Sequence, residues 1–365
     1  MSASMNSNLV SNHNTSSDVA ANRLRRVLFH PLSRPLGALA VLLLIDFFMI
    51  PGFFRIEMKD GHLYGSVIDI VNRAAPLMLA ALGMTLVIAT RGIDISVGAV
   101  VAISGTIAAM LIGGTMVVNN GVPEYVSNIP MGWALAAALG VALLCGAWNG
   151  LLVATLGLQP IIATLILMVA GRGLAQLLTD GQIITVYYKP FFYLGSGYLW
   201  GLPFSLFIVA GMFVVLALLM RKTALGLFIQ SVGINPVASR LAGIRTAALI
   251  FFVYIFCSLC AGLAGLMISA NIKSADANNA GLLLELDAIL AVTLGGTSLA
   301  GGKFSLVGSV IGALIIQALT YTIYSLGVPP EVNMVVKSVV VFLVCLSQSP
   351  EFRRLRLFKP AGSGH

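Results

Sequence analysis

From Ala247 to Ala270 the chain runs without a single charged side chain, and apolar runs of this kind recur along most of its length. About 20 apolar residues let a helix cross the hydrocarbon core of a bilayer, because a helix satisfies its main-chain hydrogen bonds internally. Only 9% of the 365 residues are charged and 58% are hydrophobic, whereas soluble domains carry roughly 25% charged residues. A soluble core cannot absorb this much apolar surface. A transmembrane β-barrel would show short alternating segments instead of long continuous runs. The fold class expected is therefore all-α, a polytopic helical membrane protein.

Ten spans are expected: Leu36–Ile50, Val71–Thr90, Ile95–Gly114, Trp133–Leu156, Ile161–Leu178, Leu202–Met220, Ala247–Ala270, Leu282–Leu294, Phe304–Leu326 and Val332–Gln348. They divide the chain into a disordered Ser/Asn-rich tail (1–35), a transmembrane domain (36–348) and a basic tail (349–365). No short apolar region with a cleavage site comes first, so the first span is read as the insertion signal. The net charge of +8 is clustered beside spans: Arg23, Arg25, Arg26 and Arg34; Arg221, Lys222, Arg240 and Arg245; Arg353, Arg354, Arg356 and Lys359. Basic residues at span ends favour the cytoplasmic side, so both termini are expected in the cytoplasm and the charge is read as topology, not as nucleic-acid binding. Aromatic residues from Tyr187 to Trp200 then fall in an external loop, as interfacial belts do. The cysteines Cys145, Cys257, Cys260 and Cys345 all lie in apolar runs without metal-ligand spacing, so buried free thiols are expected and no metal site.

The longest polar interruption of the second half, 221–246, carries four basic residues and no acid. Within it Asn235-Pro236 opens a short helix over Pro236–Ala242, stopped at Gly243. Such a helix in a cytoplasmic loop is a docking surface or an ordinary topological loop.

Two further breaks sit against apolar runs: Arg91–Gly98, and the Gly-rich stretch from Gly295 to Lys303. Irregular backbone at membrane depth is tolerated where it lines a cavity or is buried in protein. Asp94 or Ser96 could equally cap the following helix. Gly302-Lys303 is not a phosphate-binding loop, because Thr297 and Phe304 stand where that motif needs Gly and Ser/Thr. Intramembrane polar residues form a third set: Asn72, Asn149, Gln159, Thr164, Arg172, Gln176, Glu285, Asp287 and Gln317. Arg172 and Gln176 share a helix face; Glu285 and Asp287 do not, which argues against a paired acid and base. Singly, each is read as a buried polar contact between helices; together, with Asp94, Ser96, Thr297 and Ser298, they imply a polar path. Gly308 and Gly312 have the spacing of close helix packing.

Thr90–Gly98 (TRGIDISVG) resembles the TGGIDLSVG signature of permease subunits of bacterial importers for simple sugars, the family of the ribose, xylose, arabinose and galactoside permeases. Gln159–Gly173, Val232–Ile244 and Glu285–Ser305 also match its pattern in order. The departure is Arg91, where the family usually has Gly. Asp60–Ser66 with Ile68–Pro76, and Ser274–Gly281, are most similar to permeases of galactofuranose importers. The resemblance implies a bacterial inner-membrane subunit without enzymatic activity or cofactor. Its implied partners are a cytoplasmic ATPase, a second permease subunit and a periplasmic sugar-binding protein. It places the ATPase contact at Gly233, Asn235, Ala238, Arg240, Gly243 and Ile244. Other readings are a permease for another pentose or hexose, such as ribose or galactose, and an ion-coupled secondary transporter using Asp46, Glu285 or Asp287. A membrane enzyme lacks support, since all four His lie outside the spans.

Overall fold

The computed structural model describes residues 32–59, 61–119 and 122–329, together with 332, 334–336, 338, 339, 342 and 343. The tail 1–31, Asp60, Asn120-Gly121, most of the tenth expected span, Cys345 and the basic tail lie outside the described residues.

Among the described residues, six helices are long and apolar enough to cross a membrane. They are α2 (Ser66–Ala89), α4 (Met131–Ala154), α5 (Pro160–Leu178), α7 (Phe204–Lys222), α10 (Thr246–Ile272) and α12 (Leu306–Ser325). Each coincides with an expected span. Three other expected spans are shorter: α1 (Ser33–Met49, 17 residues), α3 (Val97–Ile112, 16 residues) and α11 (Leu284–Leu294, 11 residues). At 1.5 Å per residue α11 reaches only about 17 Å, roughly half the hydrocarbon thickness. Left-handed backbone at Gly281 and Leu283 delays its start.

Packing is centred on α10, which touches α2, α3, α4 and the short α6 (Lys189–Ser196). Small residues let main chains approach. Gly83 of α2 lies against the Cys257 main chain of α10, and Gly146 of α4 lies against Ile255. Without a hydrophobic driving force between helices inside lipid, such close packing is a main source of association energy. Gly308 meets Gly295 and Gly312 meets Ala291, so the glycine pair seats α12 on the end of α11. Cys145, Cys257 and Cys260 are buried and free.

The connections gather at two opposite ends. Hairpins β1–β2 (Glu57–Lys59, His62–Tyr64), β3–β4 (Thr115–Asn119, Val122–Val126) and β6–β7 (Tyr198–Leu199, Leu202–Pro203) lie at one end. There β5 (Ile184–Thr185) pairs with β8 (Ser274–Ala275), Leu63 N–H bonds Gly201 and Tyr187 N–H bonds Gly113. These lie between expected spans one and two, three and four, five and six, and seven and eight, the connections that ten spans with both termini inside put outside. At the other end Gly302 N–H donates to the Ala89 carbonyl at 2.9 Å, and Gly233 lies against both.

The 221–246 stretch is not a loop with one helix, as expected, but a helical pair: α8 (Leu225–Ile234) and α9 (Pro236–Leu241). Ile229 and Val232, three apart, are fully buried and hold α8 on the bundle. The expected α9 is present. Its cap is Asn235, whose Oδ1 accepts the Val237 and Ala238 N–H groups at 3.0 Å each.

Candidate functional site

The break after α2 begins as a Schellman cap. Gly92 N–H reaches the Val87 carbonyl and Arg91 N–H reaches Ile88, each at 2.9 Å. The residue between cap and exit is left-handed in such motifs and is usually Gly; here it is Arg91, with φ 65°. Its side chain then closes the end of α8: Nε donates to the Gly233 carbonyl at 2.6 Å and Nη2 to Ile234. Last-turn carbonyls lack helical partners, and charge-assisted donors bond them strongly.

Beyond Arg91 the chain turns inward. Asp94 and Ser96 are fully buried. Asp94 Oδ1 accepts Ser96 N–H at 2.9 Å and Ser96 Oγ–H at 2.6 Å, a local turn that starts α3. Asn149 of α4 donates to Ser96 Oγ at 2.8 Å, and Thr164 Oγ1 of α5 accepts Ile95 N–H at 3.2 Å. Four expected site residues from three parts of the chain thus meet. Tyr254 of α10 joins them, its hydroxyl beside Gly92. Buried oxygens on Asp94, Asn149 and Tyr254 have no hydrogen-bond partner among the described residues.

A second inward turn comes from the opposite end. From β8 the chain passes Asp276 and reaches Gly281, which lies against Val101 of α3. Arg172 grips this stretch, donating to the Ala280 carbonyl at 2.6 Å and to Ala277 at 3.3 Å. Gln176, on the same face, donates to Asn278 at 2.8 Å. Partial burial pulls the Asp276 carboxyl upward, but hydrogen bonds from Asn279 and Asn278, with Arg172 nearby, hold it below the usual aspartate range. Glu285 is buried and presses its carboxylate on Gly98. The starts of α3 and α11 therefore meet, and the two helices run apart: α3 toward the hairpin end, α11 toward Gly302. Both N-terminal dipoles point at this junction, where carboxylates are stabilised.

The remaining expected residues lie elsewhere. Asp287 sits in the first turn of α11, half-buried, two residues from Glu285. Thr297 Oγ1 accepts Ser305 N–H and Ser298 Oγ accepts Ala300 N–H, both 3.2 Å, so each hydroxyl braces the Gly-rich turn at the α8 end. Asn72 pairs with Ser205 of α7. Among the docking residues, Gly233 is buried while Asn235, Ala238, Arg240 and Gly243 are exposed and Ile244 half-buried. Leu241 is 86% exposed and Val237 67%, an apolar face beside Arg240. Sequence reasoning missed both, together with Arg91 as a tie. The signal for Arg91 was its position at a Gly site flanking an apolar helix end.

Apolar spans, buried polar turns entering from both ends and an exposed helical pair at one end define a membrane-embedded transport subunit. The chain belongs to the family described as branched-chain amino acid transport system / permease component, whose model matches residues 66–345. It is 52% identical over 318 residues to the galactofuranose transporter permease protein YtfT of Escherichia coli (strain K12), covering 87% of this chain and 89% of that one. It is 38% identical over 340 residues to the fructose import permease protein FruF of Bifidobacterium longum (strain NCC 2705), covering 92% of each. It is 38% identical over 317 residues to the ribose import permease protein RbsC of E. coli K12, covering 86% and 92%. No solved structure matches the chain.

Proposed function

We propose that this chain is the membrane-spanning subunit of an ATP-binding cassette importer for a monosaccharide, with galactofuranose as the first candidate. The observation that carries this reading is the 52% identity with a galactofuranose permease over almost the whole of both chains. The chain then works in the bacterial inner membrane with an ATPase, a second permease subunit and a sugar-binding protein outside.

The basic residues Arg221, Lys222, Arg240 and Arg245 favour the cytoplasm for the α8–α9 end. Ten segments enter the membrane in this reading. Two of them, α3 and α11, are shortened helices preceded by re-entrant turns, and both termini are cytoplasmic. The ATPase docks on α9, through Ala238, Arg240 and the exposed Val237 and Leu241. Its movement passes through Gly233 and Arg91 into the turn that holds Asp94. Asp94, Ser96, Asn149 and Thr164 wall the inner side of the pathway, and Arg172, Gln176 and Glu285 hold its outer side. Parting of the α3 and α11 starts opens the route; Thr297 and Ser298 shape its cytoplasmic mouth, and Asp287 lies nearer the junction, in the first turn of α11.

The test is uptake in proteoliposomes holding the whole complex, with carbon-14-labelled galactofuranose. ATP-dependent accumulation that also needs the external binding protein is expected. Accumulation that persists without ATP and collapses with a proton uncoupler would replace this reading with a secondary transporter.

A further inference from the structure

A cavity of about 200 Å³ opens among α2, α6, α7, α10 and α12, on the hairpin side of the bundle. Asn72, Ser205, Asn271 and Gln317 supply its polar wall, with Pro76 and Met267 among its apolar lining. Asn72 stands in the second turn of α2 and Asn271 in the last turn of α10. The opposite ends of both helices adjoin α8, so the cavity faces away from it. Gln317 is 11 residues beyond Leu306, so it lies about 17 Å along α12 from the α8 end. The cavity therefore penetrates toward the middle of the bundle.

Its hydrogen-bonding capacity is largely unused. Asn72 Oδ1 accepts from the Ser205 hydroxyl, which leaves the Asn72 amide hydrogens without a partner among the described residues. Asn271 Nδ2 donates to the Gly195 carbonyl at 3.1 Å, which leaves its oxygen. The Gln317 carboxamide has no partner among the described residues. Pro76 adds an acceptor: it lies inside α2 and has no N–H, so the Asn72 carbonyl loses its i+4 helical partner. Three carboxamides and a released carbonyl thus converge on one space, each side chain offering donors, acceptors or both.

This set selects a chemical class. The lining contains no carboxylate, so an ammonium group would enter without a counter-charge. Its one cation, Arg73, already pairs with Asp69 at 2.8 Å. What remains is a neutral, amide-rich wall over an apolar floor, which suits an uncharged solute with several hydroxyls and an apolar face. Pockets of this kind use a few placed polar groups for orientation and apolar surface for contact.

We propose that this cavity is a binding station for a neutral polyhydroxylated solute within the permease itself, on the side where solute arrives. The assignment rests on the monosaccharide reading given above and adds the place and the residues. It is distinct from the Asp94 junction, which shares none of its lining residues.

The experiment uses the complete transporter in proteoliposomes with labelled galactofuranose and, separately, labelled ribose. Asn271→Leu and Gln317→Leu keep the approximate size of each side chain and remove its hydrogen bonds. Each should lower uptake by about tenfold, the cost of one lost amide–hydroxyl pair, with complex assembly and sugar binding by the external protein unchanged. Gln317→Cys gives a check that does not depend on tolerance of leucine. A methanethiosulfonate reagent added from outside should block its uptake, and the transported sugar should slow the reaction. Normal uptake in both leucine variants, or modification of Gln317→Cys without loss of uptake, overturns the station while leaving the sugar importer intact. Wild-type complex that moves neither sugar overturns the monosaccharide reading and the station with it.

Discussion

Residues 90–98 and 295–305 look alike in the chain and do different work. Each follows an apolar helix, combines glycines with hydroxyl groups and leads into another helix. In the first, the chain leaves its cap at Arg91 and dives until Asp94 and Ser96 are fully buried. In the second, the chain stays at the α8 end, where Ser298 is exposed and its hydroxyl closes its own turn. The structural counterpart of 90–98 is instead 276–285, which enters from the opposite end and meets it at Gly98. Depth is set by what lies on either side. α3 and α11, at 16 and 11 residues, are shorter than the six long helices, and each is reached by a turn that travels inside the protein. The Gly-rich turn joins the end of α11 to the start of the full-length α12, and needs no depth.

Substitutions that separate these two regions should differ widely. A side chain at Gly98 meets the Glu285 carboxylate and the Gly281 carbonyl, so Gly98→Val should cost about 3 kcal/mol, the upper range of overpacking. It should show as a marked drop in monodisperse protein and in melting temperature. Ser298→Ala removes one exposed hydrogen bond and should stay within about 0.5 kcal/mol. Equal losses in both variants would erase the distinction.

Arg91 gives a finer contrast, because its backbone and side chain pull in opposite directions. Arg91→Ala keeps a left-handed residue and loses the bonds to Gly233 and Ile234, a loss of about 2 kcal/mol. Arg91→Gly loses the same bonds but relieves about 1 kcal/mol of left-handed strain, so it should melt above Arg91→Ala. Both should reduce ATP-driven uptake more than they reduce stability, since they cut the tie between α8 and the Asp94 turn. A melting order reversed between them would mean that left-handed backbone strain at Arg91 does not set the difference.

Much of this was legible in the chain. Six long spans follow from apolar length alone, and the α9 helix follows from Asn235-Pro236 and Gly243. The resemblance to sugar permeases pointed to the family that the comparisons show. Other features were hidden for physical reasons. α8 escaped because Gly226 and Gly233 break up the 221–246 stretch, although Ile229 and Val232 have the three-residue spacing of one helix face. The inward turn at 276–283 escaped because its polar groups are satisfied by Arg172 and Gln176, more than 100 residues earlier. The partnership of Asn72 with Ser205 likewise joins residues far apart in sequence, and no periodicity reports such a contact. Glu285 was singled out as an intramembrane polar residue and Asp94 as a cap or cavity-lining group in the break before α3. That both flank one helix start, that of α3, depends on the opposed directions of α3 and α11, which only the packing reveals.

The difference in depth between the two breaks is open to one direct measurement. Ser96→Cys and Ser298→Cys are near-isosteric and can be made singly in a chain carrying Cys345→Ser, with the buried Cys145, Cys257 and Cys260 retained. The rate of reaction with a bulky hydrophilic maleimide is followed in opened membrane vesicles, with both faces accessible. In the resting protein without ATP, the cysteine at 298 should react readily and the cysteine at 96 should react far more slowly. Comparable rates at the two positions would contradict the central claim that the 90–98 turn carries Asp94 and Ser96 inside the bundle while its look-alike remains at the surface.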